Sequence, residues 1–143
     1  MNDVFETVVE RTARETVDGR DGWSVEGQAR TDNLLRGNPS IRMRPDFVVK
    51  RHGEPVLVGD AKWKTKVKNN DVYQVVAYQT AYDAPGVLVY PDNNGAVEND
   101  YSVKNGYSLA MLELPTGVST ADVGEFGREN VGQFFDFLSR TVG

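Results

Sequence analysis

The sequence contains no cysteine and a single histidine, His52. Without thiols there are no disulfides, thiolate zinc sites, iron-sulfur clusters or cysteine nucleophiles, and one imidazole leaves little for a histidine-based metal centre. No apolar run approaches membrane-spanning length, and the opening Asn2-Asp3-Val4-Phe5-Glu6 has neither the basic nor the apolar region of an export signal. The expected compartment is the cytoplasm, with no membrane partner. Positive charge is also scarce: the net charge is -5, which argues against indiscriminate nucleic-acid binding because phosphates need local cations.

At 143 residues, 39% apolar and 26% charged, the chain suits one globular domain, 1–143, with a packed core. Its charge is uneven. Between Arg42 and Lys68, the basic residues Arg42, Arg44, Lys50, Arg51, Lys62, Lys64, Lys66 and Lys68 face only Asp46, Glu54 and Asp60. A basic stripe in an acidic shell fits a protein that meets phosphates on one face and repels them elsewhere. A solvated lysine-rich loop would carry the same charge.

Phe5, Val8, Val9, Ala13 and Val17 recur at helical spacing, which predicts an amphipathic helix from Asn2 to about Val17, stopped by Asp18-Gly19. Trp23 to Gly27 reads as a short strand. Ile41 to Lys50 and Val56 to Trp63 read as two strands of a hairpin, joined through His52-Gly53-Glu54-Pro55. Asn69-Asn70-Asp71 offers N-caps for a helix over Val72 to Tyr82. Gly86 to Tyr90 has the unbroken apolar character of a strand buried on both faces. Tyr107 to Leu114 is a further strand, and a closing helix is expected from about Phe126 to Val142. This order gives an α/β sandwich around a mixed sheet.

Strand side chains alternate, so Asp60 and Lys62 share one face. If Asp46 pairs across the hairpin near this point, two carboxylates and an ammonium converge at the polar end of an apolar sheet. Two aspartate oxygens suit magnesium, which keeps several waters and takes a substrate phosphate as a further ligand. A lysine beside it can position the attacking water or stabilise developing charge. Phosphodiester hydrolysis is the reaction this set serves.

Pro45-Asp46 followed by Asp60-Ala61-Lys62 resembles the PD-(D/E)XK nuclease superfamily. Asp60-Ala61-Lys62-Trp63-Lys64, then Asp71-Val72-Tyr73-Gln74-Val75-Val76-Ala77-Tyr78, is similar to the nuclease domain of the McrC family, the cleaving subunit of modification-dependent restriction systems. The resemblance covers most of 1–91. It implies a restriction-endonuclease-like core and a Mg2+-dependent DNA endonuclease in which Mn2+ can substitute. Asp46 and Asp60 would be metal ligands, joined by the Ala61 carbonyl and by Glu6 on the first helix. Lys62 would be the catalytic lysine. Gln74 and Tyr78 match the Q-x-x-x-Y pattern of the RecB-like branch, whose glutamine faces the active site. DNA would be met by Lys64, Lys66, Lys68, Arg44 and Tyr78. Partners would include a nucleotide-hydrolysing motor subunit, since no G-x-x-x-x-G-K-[ST] loop occurs here, and a second copy of the chain in a homodimer.

Other roles fit several of these residues. Gln74 fits equally as the far end of a capping box begun by Asp71. Tyr78 also reads as a packing residue with a polar tip, and Glu6 as a solvent-facing helix residue. For the whole chain, the alternatives are a RecB-like or junction-resolving repair nuclease and a catalytically silent DNA-binding or assembly module of the same fold.

Overall fold

The computed structural model describes residues 2–27, 44–63, 68–91, 99–114 and 136. These form helix α1 (Asn2–Val17), strands β1 (Trp23–Gly27), β2 (Phe47–Arg51) and β3 (Glu54–Ala61), helix α2 (Asn69–Tyr82), and strands β4 (Gly86–Pro91), β5 (Asn99–Ser102) and β6 (Ser108–Leu114). The strands make one mixed sheet in the order β1-β2-β3-β4-β6-β5. β1, β2 and β3 run antiparallel as a meander. β3 pairs with β4 in parallel across the α2 crossover, β4 with β6 in parallel, and β5 with β6 antiparallel.

Helical spacing turns Phe5, Val9, Ala13 and Val17 onto one stripe of α1, which closes one face of the sheet over Phe47, Val49, Leu57, Val87 and Val89. α2 covers the other face, where Val75, Tyr78 and Tyr82 pack on Val48, Val58, Leu88 and Tyr90. β4 is therefore buried on both sides, which is why Gly86 to Tyr90 is uniformly apolar. Each such buried Val or Leu contributes about 1.5–3 kcal/mol.

The β2–β3 connection is tighter than the four residues expected. His52 and Gly53 both have positive φ, 53° and 80°, as a two-residue hairpin turn of the inverse type requires. The ladder skips a residue between Val49 and Lys50, so that Lys50 faces Pro55; a bulge there accommodates a proline with no N–H to give. Opposite Gly59 stands Phe47, whose ring occupies the space a Cβ would need.

Three expectations need correction. β2 starts at Phe47, with Arg44 to Asp46 outside the ladder, because Pro45 lacks a donor and the Asp46 side chain takes over a pairing role described below. α2 begins at Asn69 with Lys68 as N-cap, so Asp71 is the third helical residue rather than the cap. β5 was not expected from the sequence. The closing helix expected at 126–142 lies outside the described residues except for Asp136, which is helical and exposed.

Candidate active site

The β2–β3 register places Phe47 opposite Gly59 and Val48 opposite Val58. One further step sets Asp46 opposite Asp60. Alternation puts both, with Val48 and Val58, on the α2 face. The Lys62 amide donates to Val89 O of β4 at 2.9 Å, so the preceding amide, that of Ala61, points back toward β2. There it donates to Asp46 Oδ2 at 2.8 Å. A carboxylate oxygen thus stands where a ladder carbonyl would, and Asp46 is held against the end of β3.

The two acids lie within hydrogen-bonding reach of each other, and the Asp46 pKa is pushed up to about 8. Burial is the main cause, followed by the hydrogen bond and charge of Asp60; the Ala61 amide pulls the other way, and the Glu6 charge adds to the rise. Glu6, half-buried on α1, thus stands near enough to be felt from the opposite layer.

Asp60 is 3% exposed. Its Oδ2 forms an ion pair with Lys62 Nζ at 2.7 Å, yet receives no hydrogen bond of good geometry. The same ammonium donates to Gln74 Oε1 at 2.8 Å. Burial works to lower the Lys62 pKa, but its pairing with Asp60 and the charges of Asp71 and Asp46 outweigh that, and it is raised. Gln74 does not reach back to cap α2; it meets Lys62. The capping role falls to Asp71, whose Oδ2 accepts the Lys68 amide at 3.1 Å.

Tyr78, expected on the DNA face, is buried. Its hydroxyl donates to Arg44 O at 3.3 Å; burial and the charges of Asp60 and Asp46 raise its pKa, and Gln74 pulls the other way. It therefore acts from within, tying the segment before Asp46 to α2. Arg44 and Lys68 are exposed, and Lys64 and Lys66 lie outside the described residues. Among the described residues, two members of the basic stripe turn to partners elsewhere. Lys50 pairs with Glu26 at 2.7 Å, and Arg51 lies over Trp23 at 5.7 Å, both at the hairpin end away from Asp46.

Two buried acids on the α2 side were not expected there, Asp71 having only a capping role in the sequence reading and Glu113 none. Asp71 is buried and close enough to Lys62 for its charge to act there. Glu113, also buried, pairs in register with Tyr90 on the face of Leu109 and Met111. An acid interrupting the apolar run of Leu109 to Leu114 was the available signal.

These acids fit a divalent cation. Two carboxyls set side by side, one with its pKa pushed up and the other buried and balanced by a single ammonium, gain from added positive charge. Asp46 and Asp60 would hold it. Among the described residues, no group of three or more acids or histidines could hold an ion, so water or substrate oxygens would complete the shell. Ala61 is engaged through its amide, and no contact of its carbonyl marks it as a ligand.

Fold and site together define a class: α/β proteins in which a hairpin end and the helix crossing over it gather paired carboxylates and a lysine. The family described as McrBC 5-methylcytosine restriction system component matches residues 1–91. The chain belongs to this McrBC family. It is similar in fold to a chain in the solved complex of Thermococcus gammatolerans McrB AAA+ hexamers with bound McrC, with a TM-score of 0.73 and 16% identity, over 96% of this chain and 33% of that one. This chain therefore spans about a third of its structural relative's length. No curated protein matches. No helix among the described residues is long and apolar enough to cross a membrane.

Proposed function

We propose that the chain is the nuclease module of a McrBC-type restriction system, hydrolysing DNA phosphodiester bonds with the help of Mg2+, or Mn2+ in its place. The observation that carries this reading is the meeting of Asp46 and Asp60, two acids within hydrogen-bonding reach beside a lysine ammonium. When bound there, the cation would lower the pKa of a water and offset charge on the phosphate. The chain supplies the rest. Ala61 fixes Asp46 through its amide, and the strand alternation fixes Asp60. Gln74 holds Lys62 Nζ toward the site, where the ammonium can meet a phosphate oxygen as negative charge grows on it. Tyr78 holds the Arg44 carbonyl, and with it the segment that leads into Asp46.

Because the solved relative contains McrB AAA+ hexamers with McrC and these 143 residues carry no phosphate-binding loop, a separate nucleotide-hydrolysing motor is the natural partner. Cutting both strands calls for a second copy of the active site. The direct test is incubation of the protein with DNA and Mg2+ or Mn2+, alone and with a motor subunit, beside Asp60→Ala. Cleavage by the wild type alone, lost in the variant, supports the reading; intact DNA in every combination ends it.

One observation favours the silent module of the same fold: the lack, among the described residues, of three clustered metal-binding side chains. A silent module would show no rise in melting temperature with Mg2+ or Ca2+ that disappears in Asp46→Ala.

A further inference from the structure

The polar groups on the α2 face do not end at Lys62. Asp60 pairs with Leu88 and Ala61 with Val89 in the parallel β3–β4 ladder, so one step further brings Tyr90 beside Lys62. Tyr90 is fully buried, and a buried hydroxyl needs an acceptor. It reaches Asp71 Oδ2, at 3.5 Å. That oxygen also accepts the amide of Lys68, the residue that starts α2. Gln74 stands three residues beyond Asp71, one helical turn along, and holds Lys62 Nζ.

We infer that Asp71 and Tyr90 are positioning residues, which set the start of α2 against β4 so that Gln74 meets the Lys62 ammonium. One carboxylate oxygen joins the first turn of the helix to the strand next to the lysine. The far end of α2 is fixed separately: Gln79 Nε2 donates to Ser108 O at 2.9 Å, and its Oε1 accepts Asn105 Nδ2 at 3.0 Å. With α2 held at both ends, the height of Gln74 above the sheet depends on the Asp71 attachment. An acid at this helical position stabilises a first turn wherever it occurs. Its bond to Tyr90 is not part of any cap, and through it the cap becomes a register between the helix and β4.

The catalytic consequence rests on the proposed nuclease function; the positional one does not. Tyr90→Phe is the mild variant, since it removes a single hydroxyl from the core. In metal-free, 15N-labelled full chain, the ammonium signal of Lys62, assigned by its absence in Lys62→Arg, should exchange with water slowly in the wild type and faster in both Tyr90→Phe and Gln74→Ala. In cleavage assays, Tyr90→Phe should lower kcat by about tenfold and change KM by less than about twofold. In a Gln74→Ala background it should cost nothing further, because the two act in series. Asp71→Asn, which keeps an acceptor for the Lys68 amide, should fall between wild type and Tyr90→Phe in both readouts.

If Tyr90→Phe only lowers the melting temperature, leaving the Lys62 signal and kcat as in the wild type, or if its loss multiplies with that of Gln74→Ala, the inference is overturned. Should the wild type cleave nothing, the nuclease reading fails, and the Lys62 signal still decides the positional one.

Discussion

Asp46 and Ala61, fifteen residues apart, are joined by a 2.8 Å hydrogen bond from backbone amide to carboxylate. A candidate metal ligand is thereby part of the hairpin's own pairing. Asp46→Ala would leave that amide without its acceptor, an expected loss of about 1–3 kcal/mol in urea unfolding of the metal-free protein. Asp46→Asn retains an acceptor and cannot take on charge beside Asp60, so it should be at least as stable as the wild type under the same conditions. Equal stability of the Ala and Asn variants would show that the bond carries no weight.

The same carboxyl makes stability depend on pH. Its pKa rises from 3.8 to about 8 on folding, so between those values the folded protein binds more protons than the unfolded one. Stability of the metal-free protein should therefore fall as pH rises through that window. Melting temperatures in a chelating buffer from about pH 5 to about pH 8 should slope downward, and the slope should flatten in Asp46→Asn. Magnesium should reverse the trend, since it binds the deprotonated pair and its affinity grows as the proton leaves. A slope unchanged in Asp46→Asn would place its origin elsewhere.

The main elements could be read from periodicity because each buries a face. Phe5 to Val17 and Gly86 to Tyr90 show their helix and strand in the spacing of apolar residues alone. The Asp46, Asp60 and Lys62 constellation was legible for a related reason: a two-residue alternation fixes which side chains share a face. What the sequence did not disclose were relations between distant segments. Nothing local says that Gln74 turns toward Lys62 rather than back to its own helix start, since both satisfy its amide. The burial of Tyr78 and the diversion of Lys50 to Glu26 likewise depend on which strands become neighbours. β5 is short and polar, without the apolar pattern that signals a strand.

Gly59 lies between Val58 and Asp60, and a methyl group there would run into the Phe47 ring. That ring is fully buried in the α1-side core and has little freedom to yield. Gly59→Ala should destabilise the protein by about 1–3 kcal/mol through overpacking. Because the displaced ring belongs to the residue next to Asp46, metal affinity should fall as well. Unfolding curves with and without Mg2+ would read both effects, and a Gly59→Ala protein matching the wild type in both would mean the ring moves aside freely.

Lys62 is the one residue whose removal should separate binding from chemistry. Its ammonium forms an ion pair with a buried carboxylate, so Lys62→Met should lower metal-free stability by leaving Asp60 without its counter-charge. A divalent cation would supply that charge, and the stabilisation by Mg2+ or Ca2+ should be larger in Lys62→Met than in the wild type. Activity should move the opposite way. With no ammonium to meet the developing phosphate charge, kcat should drop by on the order of 10²–10³ while KM changes little. Asp60→Ala, by contrast, should lose both the metal-linked rise in melting temperature and the cleavage. The comparison needs only melting curves and one cleavage assay on the two variants. If Lys62→Met loses the metal response in step with activity, the lysine serves to build the cation site rather than to act on the phosphate.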